Sequence, residues 1–139
     1  LTVKQIFKQY RKCEYQLKLL TQELEILSRS PEFIKVTRYG DEERGGGTVE
    51  DIHLNILDKR RELETKIKNN QAYITLIDHI CDSLKKEFND DYSIFHSKYL
   101  KDETVTAIMI ELGYANHSSI YRKLKKMEDY FEQLMQSTF

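Results

Sequence analysis

Eight side chains between His117 and Lys126 are of the types that recognise a charged, hydrogen-bonding polymer: His117, Ser118, Ser119, Tyr121, Arg122, Lys123, Lys125 and Lys126. The four cations fall within five residues, no acid occurs from Leu112 to Met127, and yet the whole chain carries a net charge of −1. Positive charge is therefore concentrated in this segment although the protein as a whole is close to neutral. Arg122 offers a planar fork that fits guanine in the major groove or a phosphate. Lys123, Lys125 and Lys126 suit phosphate oxygens, contacts that position a protein on a duplex without reading sequence. His117, Ser118 and Ser119 stand where a helix would begin, the end that enters the groove in duplex-binding pairs of helices. Tyr121 can bond a phosphate or pack on a thymine methyl. The plainer alternative is a solvated basic face on a helix with no nucleic-acid role. Glu128, Asp129 and Glu132 follow at once and would repel a duplex, so they limit how far along the helix DNA can lie.

The elements that must position these groups can be read around them. Asn89-Asp90-Asp91 predicts a break, followed by a helix from Tyr92 to Leu100 that buries Tyr92, Phe95 and Tyr99. Lys101-Asp102-Glu103 reads as a turn. Thr104 is an N-cap candidate for a helix whose apolar side is Ile108, Met109 and Leu112. Gly113 supplies the left-handed position that ends such a helix. Asn116 or Ser118 would cap the last helix, with Ile120, Leu124, Met127, Phe131 and Leu134 as its buried stripe.

The first part of the chain has a different pattern. Ile6, Tyr10, Cys13, Leu17, Leu20, Leu24 and Leu27 alternate four and three apart, which puts them on one helical seam. Ser30-Pro31 should end that helix, because the residue before proline avoids the helical region. A flexible insert is expected at about residues 29–48, strand-like at Phe33, Ile34, Val36 and Tyr39 and loose at Gly45-Gly46-Gly47, the region from Glu32 to Gly47 forming a tip. Thr48 would cap a long second helix, with Glu50 and Asp51 favoured by the dipole of its first turn. That helix reaches to about Phe88 on the seam Ile56, Leu63, Ile67, Ile74, Ile77, Cys81, Leu84 and Phe88, interrupted by His53, Arg60 and Asn70. Asn70 could fix the register of pairing or simply lean to the surface. The second helix is longer than the first, and its last turns widen with Tyr73, Leu76 and Ile80, so the C-terminal helices are the candidates to cover them. The expected fold is all-α: a long antiparallel, coiled-coil-like helical hairpin over residues 1–88, then a helix-turn-helix domain over 89–139.

Composition limits the alternatives. Charged residues make up 32% and apolar residues 40%, with one proline and no tryptophan; this suits a helical protein. No apolar run approaches the length that spans a membrane, and no signal-peptide pattern is visible. Leu1 in place of a starting Met suggests a trimmed segment. Cys13 and Cys81 fall on the apolar stripes and read as small buried hydrophobes in a reducing cytoplasm rather than as a disulfide. Enzyme readings lack a phosphate loop, a nucleophile elbow and a metal cluster; His79 and Cys81, two apart on one helix, face different ways. No catalytic residue, metal or cofactor is expected.

The segment YSIFHSKYLKDETVTAIMIELGYANHSSIYRKLKKMEDYF resembles region four of bacterial sigma factors. It is more similar still to the phage late-gene transcription regulators with a sigma-region-four-like domain, the RinA and ArpU-like group. The match rests on Tyr99, Thr104, Leu112-Gly113-Tyr114 and Tyr121-Arg122 and covers about the last third of the chain. Two positions depart from that pattern. Met109 stands where a small Ala is common, and the turn Gly-Tyr-Ala-Asn-His is one residue longer than in sigma factors, similar to that of AraC-type domains. The resemblance implies binding to double-stranded promoter DNA and activation of a phage or mobile-element late operon, with RNA polymerase as a further partner. A homo-oligomer, in particular a dimer, is expected from the uncovered apolar surface and the two-fold logic of operators. The rival expectation is a protein-interaction module or inhibitor that binds a homologous regulator or RNA polymerase through its helical hairpin; the near-zero net charge favours it.

Overall fold

The computed structural model describes residues 1–30 and 47–138, and of residues 47–53 the backbone alone. The expected tip between Glu32 and Gly46 and the side chains of Thr48, Glu50, Asp51 and His53 lie outside the described residues. Those residues are almost wholly helical and contain no strand. We label the helices α1 (Val3–Arg29), α2 (Gly47–Phe88), α3 (Tyr92–Phe95, continued as a π-helix over His96–Leu100), α4 (Val105–Leu112) and α5 (His117–Thr138). At about 1.5 Å per residue, α2 is roughly 60 Å long and α1 roughly 40 Å. No described helix is long and apolar enough to cross a membrane.

Local chemistry sets the boundaries. Thr2 and Gln5 begin α1 with a reciprocal capping box: the Thr2 hydroxyl accepts from the Gln5 N–H and the Gln5 side chain accepts from the Thr2 N–H. At its other end Ser30 donates both its N–H and its hydroxyl to the Leu27 carbonyl, just before Pro31. The first residue of α2 is Gly47, so Thr48 falls inside the helix by its bounds rather than before it. The α2–α3 break lies where the Asn-Asp-Asp run predicts it. Asn89 adopts φ +51° and Asn89–Asp91 forms a 3₁₀ turn. Asp102 does the same at φ +54° between α3 and α4. Asn and Asp are the non-glycine residues that best tolerate this left-handed region.

The chain forms two compact units that do not follow the expected division at residue 88. One comprises Leu1–Arg11 with Thr75–Phe139, the other Lys12–Ile74. In the first, the opening turns of α1 and the closing turns of α2 share a core with α3, α4 and α5. Phe7 is its centre. Fully buried, it lies 5.6 Å from the Phe95 ring, 5.3 Å from Tyr99 and 5.3 Å from Phe131. Such aromatic pairs contribute about 0.5–1.5 kcal/mol each beyond the area they bury. Val3 extends the heptad seam of Ile6 and Tyr10 by one step, and Phe7, buried beside that seam, makes the apolar face broader than the seam alone. Ile77, Ile80, Cys81 and Leu84 are buried in the same core, and Phe88 meets the Tyr130 ring edge-on at 5.6 Å. Of the residues expected to widen the end of α2, Ile80 is buried here, whereas Leu76 and Tyr73, the latter in the other unit, are half-buried. Both cysteines are buried, and no disulfide joins them.

In the second unit, Lys12–Ile74, Glu23 of α1 pairs with Lys59 of α2 at 3.6 Å. Cys13 and Leu63 are buried, whereas Leu17, Leu20, Leu24, Leu27, Ile56, Ile67 and Ile74 are only half-buried. The polar interruptions of the seam use their own helix: Arg60 pairs with Glu64 at 2.9 Å, and Asn70 donates to the Lys66 carbonyl. That bond engages one N–H of the Asn70 amide in a local back-bond on the exposed side of α2, which favours the surface-leaning reading over a register lock.

Candidate nucleic-acid interface

The cluster of polar and cationic residues is held at the start of α5, and its position is fixed by three caps. The Thr104 hydroxyl accepts from the Ala107 N–H at 3.2 Å and starts α4. Gly113, at φ +75°, ends it, and the Tyr114 N–H returns to the Met109 carbonyl at 3.0 Å. This six-to-one closure satisfies a carbonyl that the helix end leaves open. Asn116, not Ser118, then caps α5: its side-chain oxygen accepts from both the N–H and the hydroxyl of Ser119. Each such cap stabilises a helix start by about 1 kcal/mol. Together they join α4 to α5 through four residues, so the first turns of α5 have a set direction.

Burial then decides which side chains are outward. Ile120, Leu124, Met127 and Phe131 form the buried stripe as the spacing predicts, but Met135 continues it in place of the half-buried Leu134. Leu134 and Met135 lie equally far around the helix from the centre of that stripe, one on each side, so packing rather than helical period selects Met135. In α4, Val105 and Ile108 are buried, while Leu112 is 38% exposed and Met109 half-buried. The expected apolar side of α4 is therefore shifted toward its N-terminus.

The eight candidate residues separate into three groups. Ser118, Arg122, Lys125 and Lys126 are exposed, Arg122 almost opposite Ile120 around the helix. Arg122 and Lys126 have no acid partner among the described residues, whereas Lys125 lies 3.6 Å from Asp129 in an exposed i,i+4 pair of little energetic consequence. His117 and the exposed Tyr121 lie on the flank toward α4, with His117 Nε2 3.3 Å from the Thr106 hydroxyl. Ser119 and Lys123, both half-buried, lie on the other flank.

Lys123 departs from the expectation of an open phosphate contact. Its ammonium donates to Asp91 Oδ1 at 3.0 Å and to the Tyr114 hydroxyl at 3.1 Å, and it sits 5.0 Å from the centre of the Tyr114 ring. The Tyr114 bond and then the Asp91 bond raise its pKa. Asp91 and Tyr114 were not legible as site residues. Asp91 reads as part of a break and Tyr114 as part of a turn, and only folding brings both onto one ammonium.

Two other contacts brace the flank toward α3. The Tyr99 hydroxyl donates to Glu128 at 2.5 Å, and Arg11 donates to the Tyr99 carbonyl at 2.6 Å. Burial, then the Glu128 bond, raises the Tyr99 pKa, so the phenol stays protonated and Glu128 has an internal partner. Among the described residues no His, Cys, Asp and Glu grouping of metal-binding size occurs. No known protein family, curated protein or solved structure matches the chain.

Proposed function

We propose that the protein is a DNA-binding transcriptional regulator that lays the first turns of α5 into the major groove, α4, Gly113 and α5 acting as a helix-turn-helix. The observation that carries this reading is the outward face of α5: Ser118, Arg122, Lys125 and Lys126 stand exposed opposite a fully buried stripe, on a helix capped at Asn116 and braced by Lys123. A duplex needs such a rigid, acid-poor cationic helix start. Arg122 is the base-reading candidate, and Lys125 and Lys126 are phosphate contacts. Asp129 lies on the same outward face as Arg122 and marks where the duplex must leave the helix.

The wider role rests on the resemblance of the last third of the chain to the RinA and ArpU-like regulators: activation of phage or mobile-element late genes, with promoter DNA and RNA polymerase as partners. In the same proposal α1 and α2 form an antiparallel hairpin that supports a homodimer. Binding to fragments of the host element's own DNA at two salt concentrations tests the reading. Sequence-selective binding that weakens with salt and is lost in Arg122→Ala/Lys125→Ala is the expected outcome. A folded protein that selects no fragment removes it.

One observation favours a protein-interaction module instead. Tyr15 and Ile26 of α1 are 66% and 71% exposed, and Leu19 between them is also exposed. If this surface rather than α5 carries the function, partner binding survives Arg122→Ala and is lost on Tyr15→Asp or Ile26→Asp.

A further inference from the structure

The Asn89–Asp91 turn and the flank of α5 enclose a cleft lined by Phe88, Asp91, Ser119, Arg122, Lys123 and Lys126. Its volume of about 240 Å³ is below the roughly 300–1,000 Å³ of small-molecule pockets, so it suits one chemical group rather than a whole metabolite. Three cations and one carboxylate line it, which leaves an excess of positive charge. Arg122 and Lys126 have no acid partner among the described residues. Lys123 has three N–H donors; Asp91 and Tyr114 take two, and one remains. The Ser119 hydroxyl donates to Asn116 over a long 3.3 Å and can turn to a stronger acceptor. Arg122 and Lys126 stand where the outward face of α5 meets this flank: toward the face they are open to a duplex, and in the recess they converge with Lys123 and Ser119 on one acceptor.

We propose that this cleft is a seat for one phosphate group, and that Asp91 is its resident counter-anion. A phosphate entering the cleft meets Arg122, Lys126 and the spare donor of Lys123, and it competes with Asp91 for the Lys123 ammonium. The inference rests on the proposed function for the source of that phosphate, a nucleic-acid backbone, although free phosphate shares the chemistry. Asp91 makes the seat weaker than its cations alone would be. Removing the carboxylate charge frees Lys123 and lifts the repulsion, so loss of an acid side chain increases affinity rather than merely disturbing the fold.

The experiment uses the full chain, with helicity checked for each variant by circular dichroism. Binding of a labelled duplex is measured across a salt series for the wild type, Asp91→Asn and Lys126→Gln. Inorganic phosphate is titrated in parallel into isotope-labelled protein, and the amide signals of residues 119–123 are followed. Asp91→Asn is expected to bind duplex several-fold more tightly. Lys126→Gln is expected to bind several-fold more weakly on any sequence, with the log-affinity against log-salt slope smaller by about 1. If the wild type binds duplex and neither variant changes affinity or slope, the phosphate seat is overturned while the DNA-binding reading stands. If no duplex binds but phosphate shifts the cleft amides, and does so at lower concentration in Asp91→Asn, the seat stands with free phosphate as its source and the DNA-binding reading falls. If neither duplex nor phosphate has any effect, both fall.

Discussion

The two compact units are built from the same helices and bury them to different depths. In Leu1–Arg11 with Thr75–Phe139, Phe7, Phe95, Phe131, Ile77, Leu84, Ile94, Ile108, Ile120 and Met127 are fully buried. In Lys12–Ile74 the seam residues of α1 and α2 are mostly half-buried. Two helices can cover each other along one stripe only, and the sides of the contact stay open until another layer arrives. In the first unit α3, α4 and α5 supply that layer. The comparison teaches that heptad regularity does not measure burial: the most regular stretch of the seam, Leu17 to Leu27, is the less buried part of α1.

The largest expected effect separates the units at once. Phe7→Ala should destabilise the first unit by about 3–5 kcal/mol, the cost of emptying a core aromatic site, as read by denaturant unfolding. It should also abolish nucleic-acid binding, although Phe7 is about 110 residues from α5 in sequence. A mild Phe7→Ala phenotype would end the distinction between the units.

Alkaline pH should act next, and mainly on the first unit. Burial is the leading cause of the raised pKa values of Cys81, Tyr92 and Tyr99, with Cys81 moved from 9.0 to about 11. Groups whose folded pKa is raised favour the folded state below the unfolded pKa and lose that contribution as pH rises through the folded one. Stability should therefore hold up to about pH 9 and fall steadily from there toward pH 11 and above, as Cys81 and then the two tyrosines ionise more readily in the unfolded chain. Tyr73, also raised chiefly by burial, is the corresponding group of the second unit. Thermal melts across pH 8 to 11 that show no decline would contradict this assignment.

Leu20→Ala should cost less, about 1–2 kcal/mol, because a half-buried side chain loses only part of its transfer free energy. An equal loss in Phe7→Ala and Leu20→Ala would show that the seam of the second unit is covered in solution, as a homodimer would cover it, and sedimentation of the Leu20→Ala protein would then reveal dissociation. The smallest effect is reserved for Asp91→Asn, whose ion pair with Lys123 is over a third exposed on both sides. Its stability loss should stay below about 1 kcal/mol, which is why that variant can report on phosphate affinity without unfolding the site.

What the sequence alone determined is local. The α2–α3 break at Asn89, the Thr104 cap, the Gly113 ending and the exposed positions of Ser118, Arg122, Lys125 and Lys126 all follow from neighbours within a few residues, where backbone preference and helical period decide. The choice between Asn116 and Ser118 as cap required the hydrogen bond itself, since both are good capping residues within four positions of the apolar stripe. The choice of Met135 over Leu134 required the packing itself, since both lie equally far around the helix from the stripe. Other features were decided by the tertiary structure alone. Phe7 became the centre of a core because α3 and α5 meet the first turns of α1. The boundaries of the two compact units fall within α1 and within α2, because a core forms where a third layer exists and not where a seam is regular. Lys123 turned from an apparent surface cation into a brace because Asp91 and Tyr114, each unremarkable in its own segment, converge on it. Side chains far apart along the chain carry no mark of one another in a single sequence, and only the packing of α5 against its neighbours brings those charges within bonding distance.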